Sequence, residues 1–168
     1  ALIVIGRNSG GEECDRHLSE DYYLTNSEES LLKEVCSHFT NVVVVLNVNG
    51  LIDLSWVRKY ANIKSLLFIG IPGEEGASAL AGILTGEINP SGKLAVTIAE
   101  HYEDYPSADH FSWDKEHLEN VLDYESYGLS SEENGSTGFS KSPVSVYWED
   151  IYTGYRYFDT FGKPVLSP

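Results

Sequence analysis

The chain has 168 residues, enough for one ordinary domain with a real core and too few for two comfortable ones. Apolar residues make up 42% and segments are clearly periodic, which excludes an intrinsically disordered protein. Eleven basic against 26 acidic residues give a net charge of −15, which excludes nucleic acid as an expected partner.

In chain order, "ALIVIG" at 1–6 is a continuous apolar run, the pattern of a strand covered on both faces. A glycine-containing stretch, "RNSGGEECDR", follows it and presents the adjacent acids Glu12 and Glu13. Thr25 and Glu28 form a capping-box pattern that opens a helix with Leu31, Leu32, Val35, Cys36 and Phe39 on one face. "NVVVVLNV" is a second buried strand, and Asp53 is placed to cap a short helix containing Leu54, Trp56, Val57 and Tyr60. "KSLLFIG" is a third strand, followed from Glu74 by a helix with Ala77, Leu80, Ala81 and Leu84 at i, i+3, i+4, i+7 spacing. "KLAVTIA" reads as a further strand after the turn signal "NPSG".

The pattern breaks beyond Glu100. Residues 100–134 hold eleven Asp or Glu and one Lys, so 101–146 is expected to be an acidic loop or insertion, with only a weak helical hint at 113–122. "VYWEDIYTGYRYFDTF" reads as an aromatic extended segment. Three alternations of strand and helix imply an α/β fold: a three-layer α/β/α sandwich with a mostly parallel sheet.

Ligands in open parallel sheets bind outside the carboxyl ends of the strands. Those ends deliver Arg7, Asn8, Glu12, Glu13 and Asp15 from the first strand, Asn47, Asn49 and Asp53 from the second, and Glu74 and Glu75 from the third. This set suits a polyhydroxylated ligand or a cation. Phosphate is disfavoured, because Glu74 and Glu75 are expected in the first turn of their helix and no Walker or GxGxxG pattern is present. The five histidines lack zinc-ligand spacing, and no GxSxG elbow is present. Cys14, between Glu13 and Asp15, is a poor thiolate. No cofactor or metal is expected. Carboxyl acid–base chemistry remains: Glu13 and Asp15 would raise the proton affinity of Glu12, as a general acid needs, although a plain turn residue fits the same pattern.

No apolar run approaches the roughly 18 residues of a membrane span, so no membrane association is expected. Two cysteines make no disulfide framework, and Cys36 reads as a small core residue. A cytoplasmic location is the expectation, with secretion as the alternative because the chain reads as a piece of something longer.

Several blocks, "IGRNSGGEECDR", "DYYLTNSEESLLKEV", "VVVVLNVNGLIDLSW", "PGEEGASALAGILTGEINPSGKLAVTI", "YEDYPS" and "IYTGYRYFDTFG", resemble the second, C-terminal α/β sandwich domain of family-3 glycoside hydrolases, bacterial β-glucosidases in particular. They occur in the family order and cover most of the chain outside 107–146. The resemblance implies part of a retaining β-glucosidase, with an acid/base glutamate on this chain and an aspartate nucleophile on a barrel domain of the same or a companion chain. The family block S-G-E-G-x-D-R, aligned back from Asp15-Arg16, puts the acid/base on Glu12; aligned forward from Ser9-Gly10 it falls on Gly11, and Glu13 is the second candidate. Arg7, Asp15 and Arg16 are candidates for substrate contact, with Arg16 alternatively a support of the glutamate turn. Tyr152, Tyr155, Tyr157 and Phe158 are expected to pack rather than stack on sugar. The partners implied are a β-glucoside or oligosaccharide and the barrel domain. The sandwich is incomplete on its N-terminal side, so open sheet edges are expected to be covered by a partner, and homo-oligomerisation stays open. The alternative is a non-catalytic sugar-binding or protein-interaction module of the same fold.

Overall fold

A computed structural model describes residues 1–7, 17–111 and 149–167. Strands β1 (Leu2–Gly6), β2 (Val42–Asn47) and β3 (Ile63–Phe68) form a parallel sheet in the order β1-β2-β3. The register pairs Ile3 with Val44 and Leu66, and Ile5 with Leu46 and Phe68, so these residues share one face. Helix α1 (Asn26–His38) and a 3₁₀ turn (Ser55–Lys59) cover that face. The core there consists of Ile3, Ile5, Leu32, Val42, Val44, Leu46, Val48, Ile52 and Trp56. The α/β fold with a parallel sheet is therefore as expected.

Local chemistry sets the connections. The Thr25 hydroxyl accepts the Glu28 N–H while the Glu28 carboxylate accepts the Thr25 N–H, the reciprocal box that starts α1. Asp53, buried, accepts from the Ser55 N–H and hydroxyl and so caps the 3₁₀ turn, whose Trp56 indole donates to the Asp53 carbonyl.

Several expectations are corrected. β1 is covered on one face only: Ile3 and Ile5 are buried, but Leu2 and Val4 are 50% and 54% exposed. An uninterrupted apolar run does not by itself bury both faces of a strand: here the alternate residues Leu2 and Val4 point away from the core. On α1 only Leu32 is fully buried; Val35 and Cys36 pack beside it, whereas Leu31 and Phe39 are exposed. Leu31 lies one residue, about 100° of helical turn, from Leu32, and Phe39 is the extended C-cap residue.

Helix α2 (Gly76–Thr85) begins after Glu74 and Glu75, which lie in the preceding turn. Its buried positions are Gly76 and Gly82, while Ala77, Ala81 and Leu84 are exposed. Of "KLAVTIA", only β4 (Ile98–Ala99) is strand, and it pairs antiparallel with β5 (Val165–Ser167) in a separate two-stranded sheet. The beginning of the acidic stretch is structured, with a 3₁₀ turn (Tyr102–Asp104) and α3 (Ala108–Phe111). The remainder to 146, including the helical hint at 113–122, lies outside the described residues.

The aromatic segment expected to be extended contains helix α4 (Tyr155–Phe161). Gly154 and Gly162 bracket it at φ +57° and +62°, backbone states open to glycine, and these ends override the β preference of its aromatics. Phe158 is buried against Tyr105 at a ring separation of 5.8 Å. Tyr105 in turn borders a small second core of Tyr22, Tyr102 and Ala108. Lys163 bonds Asp104 at 3.3 Å, tying the end of α4 to the same region. Phe158 thus packs as expected, whereas Tyr155 stands largely exposed. No helix among the described residues is long and apolar enough to cross a membrane.

Candidate active site at the carboxyl end of the sheet

The carboxyl ends of all three strands are fastened to one another. The Arg7 N–H donates to the Asn47 carbonyl at 3.1 Å, and the Asn47 side-chain amide donates to the Gly70 carbonyl at 2.6 Å. Asn47, expected as a ligand-reading amide, therefore braces the end of β3. Asp53 acts as a cap, and its own N–H donates to the Tyr22 carbonyl at 2.9 Å. Asn49, Glu74 and Glu75 are exposed.

The chain leaves the sheet at Arg7 and re-enters the described structure at His17, just before a π-helical turn (Leu18–Tyr22). Glu12, Glu13, Cys14, Asp15 and Arg16, the residues on which the acid–base reading turns, lie between these points, outside the described residues.

Arg7 is nearly buried, its side chain 11% exposed. Nε donates to the Asp21 carbonyl at 3.3 Å. Nη1 donates to the Gly6 carbonyl at 3.0 Å and to Glu28 Oε1. Nη2 donates to the Tyr23 carbonyl at 3.1 Å and to Glu28 Oε2 at 2.9 Å. All five guanidinium donors are thus used within the chain, two of them in a forked pair with one carboxylate. On the return side, the Asp21 carboxylate accepts the His17 N–H at 2.8 Å.

The electrostatics follow from these contacts. Burial works against ionisation of Glu28, but hydrogen bonds from Arg7 and Thr25 and the Arg7 charge outweigh it and hold the carboxyl below its usual value. Burial also pushes the Tyr22, Tyr23 and Tyr105 phenols up, so they are neutral donors and acceptors near neutral pH. The Tyr105 hydroxyl accepts the Ala99 N–H at 3.0 Å, joining the small sheet to the tyrosine cluster. Burial raises the Cys36 thiol, consistent with packing rather than reactivity. Among the described residues no group of three or more His, Cys, Asp or Glu is arranged to hold a metal ion.

Sequence reasoning missed Glu28 as the partner of Arg7. Its capping pattern explained its presence fully, and a pair separated by 21 positions leaves no local signal. The tyrosine cluster was missed for the same reason.

Residues 1–155 match the Glycosyl hydrolase family 3 C-terminal domain. Beta-glucosidase A of Butyrivibrio fibrisolvens is 39% identical over 140 residues, 83% of this chain and 14% of that protein. A beta-glucosidase of Ruminococcus albus is 32% identical over 163 residues, 97% of this chain and 14% of that protein. The crystal structure of a beta-glucosidase from Paenibacillus barengoltzii superposes with a TM-score of 0.72 at 34% identity, over 100% of this chain and 16% of the other. The chain thus spans about one-seventh of the length of these curated relatives. With the parallel sheet, the order of the motif blocks and the match over 1–155 all in agreement, the chain belongs to glycoside hydrolase family 3, as part of its C-terminal domain.

Proposed function

We propose that the chain is part of a β-glucosidase that hydrolyses terminal β-D-glucosidic bonds with retention of configuration, supplying Glu12 as acid/base to a site whose nucleophile lies on a separate barrel domain. The observation that supports this reading is the family match over residues 1–155, a span that includes Glu12.

The chemistry is that of two carboxyl groups about 5–5.5 Å apart on either side of the glycosidic bond. The barrel carboxylate attacks the anomeric carbon as Glu12 gives its proton to the departing oxygen, so the C–O bond breaks and a neutral alcohol leaves. Glu12, now a carboxylate, then takes a proton from the water that attacks the glycosyl-enzyme, and glucose departs with the nucleophile restored. The acid must hold its proton near neutral pH, and the neighbouring carboxylates Glu13 and Asp15 favour that.

The test is Glu12→Gln in the complete enzyme, barrel included, read as kcat/KM on aryl β-glucosides of graded leaving-group ability. A loss on the order of 10²–10⁴ for poor leaving groups and little for good ones is expected, because only the former need a proton. Rates unchanged from the parent enzyme with both classes would remove Glu12 from the reaction and favour a non-catalytic module.

A further inference from the structure

The segment before α4 and one side of that helix enclose a cavity of about 420 Å³, lined by Ile151, Tyr152, Tyr155, Arg156, Asp159 and Thr160. We propose that this cavity is a pyranose-binding site: Tyr152 and Tyr155 stack on one sugar unit of a β-linked gluco-oligosaccharide, and Arg156 and Asp159 bond its hydroxyls. The proposal rests on the proposed function for the class of sugar, and it needs neither Glu12 nor turnover.

The backbone builds the two walls. Asp150 takes a left-handed φ of +51°, and the Tyr152 N–H donates to the Glu149 carbonyl at 2.8 Å, closing a turn just before the helix. Along α4, Tyr155 and Asp159 are four residues apart, as are Arg156 and Thr160, so the four share one side. Phe158 falls outside that side and is buried.

The aromatic residues then divide by task. Tyr157 and Phe158 pack, with rings 5.7 Å apart, and Phe158 continues to Tyr105. Phe161 lies 5.0 Å from Tyr157 and 5.2 Å from Tyr152. A run of ring contacts thus steadies Tyr152 from the small tyrosine core while leaving it exposed to the cavity. Tyr155 is 60% exposed, and the Arg156 guanidinium lies over its ring, 5.8 Å from the centroid. An exposed apolar patch rimmed by polar groups is the mark of a ligand groove.

The lining selects the class of ligand. A pyranose has a face of C–H bonds and a rim of hydroxyls, each able to donate and to accept. The negative face of a tyrosine ring attracts the positively polarised C–H bonds. At the rim a carboxylate accepts, a guanidinium donates and a threonine hydroxyl does both, so the three answer hydroxyls of either polarity. Neither Arg156 nor Asp159 enters an ion pair among the described residues. An anion would be repelled by Asp159 and a cation by Arg156, whereas a neutral polyol meets neither repulsion. The volume lies within the about 300–1,000 Å³ of small-molecule sites.

The experiment is hydroxyl-radical footprinting of the complete enzyme, read by mass spectrometry at Tyr152 and Tyr155. The probe is a cellotetraose with sulfur in place of its glycosidic oxygens, linkages that resist hydrolysis. Both rings should react readily without the sugar and become protected as it is added. In Arg156→Ala and in Asp159→Ala the midpoint of protection should rise by about tenfold, while the reporting tyrosines stay in place. Rings already unreactive without sugar would mean that another part of the protein fills the cavity, and would overturn the proposal. No protection at any sugar concentration would overturn it too, as would an unchanged midpoint in both variants. Failure of the acid/base reading would appear separately, as a Glu12→Gln enzyme without its selective loss, and would leave the protection intact.

Discussion

Glu28 performs two tasks with one carboxylate, and removing it separates their contributions. In Glu28→Ala the Thr25 N–H loses its acceptor at 2.8 Å and the Arg7 guanidinium loses its counter-charge while staying nearly buried. In Thr25→Ala only the cap is damaged: the side-chain bonds to the Glu28 N–H and carboxylate disappear while the arginine keeps its partner. Loss of an N-cap costs about 1 kcal/mol. Stranding a hydrogen-bonded charge adds about 1.5–3 kcal/mol, less than for a fully buried pair because the Glu28 side chain is 19% exposed. Glu28→Ala should therefore cost about 3 kcal/mol and Thr25→Ala about 1 kcal/mol. At about 2–4 °C per kcal/mol for a domain of this size, the thermal midpoint should drop by about 6–12 °C and 2–4 °C respectively. Calorimetry of the two variants beside the parent decides the matter. Equal drops would mean that the Arg7–Glu28 pair contributes nothing beyond the cap, and would refute the reading of Glu28 as the partner that holds Arg7.

Three more outcomes follow from the packing and the electrostatics. Because the Glu28 carboxyl is held below its unfolded value of 4.5, its contribution is present in full above that pH and is lost as pH falls through the lowered folded value. Acid unfolding of Glu28→Gln, followed by tryptophan fluorescence, should lack this component, and a curve with unchanged pH dependence would contradict the assignment. Tyr105→Phe deprives the fully buried Ala99 N–H of its acceptor and should cost about 1–3 kcal/mol, read from the urea midpoint; a neutral result would mean that water replaces the hydroxyl. Leu32→Ala empties the centre of the main core, where Leu32 is wholly buried, and should cost about 2–5 kcal/mol by the same assay, whereas a loss below about 1 kcal/mol would place the packing of α1 on the sheet in doubt.

The parts of the fold legible in the sequence were those whose cause is local. The three apolar runs became the three parallel strands, and Thr25-x-x-Glu28 announced the start of α1. Asp53 was read as a cap from its position just before the short helix, and its carboxylate accepts the Ser55 N–H at the start of the 3₁₀ turn. The segment Tyr155–Phe161 was misread because its aromatics favour strands, while its conformation is governed by the glycines on either side. β1 was misread because burial of both faces depends on what packs against the strand and not on its own apolar run. Of the site, motif spacing proposed Glu12 and Glu13, which lie outside the described residues, and strand topology proposed Arg7 at the end of the first strand. That Arg7 is gripped by Glu28, 21 residues away, and straps Asp21 and Tyr23 is a tertiary fact without a local signature.

The most direct test of the central claim is chemical rescue. Glu12→Ala and Glu13→Ala, each in the complete enzyme, would be assayed on a β-glucoside with a good leaving group, with and without azide. A retaining enzyme without its acid/base residue still forms the glycosyl-enzyme from such a substrate but cannot activate water to hydrolyse it. Azide needs no general base, attacks the anomeric carbon in place of water and releases β-glucosyl azide. Rate recovery with that product in Glu12→Ala, and none in Glu13→Ala, is the result expected. Rescue confined to Glu13→Ala would move the role by one residue, and no rescue in either variant would contradict the claim that this chain supplies the acid/base.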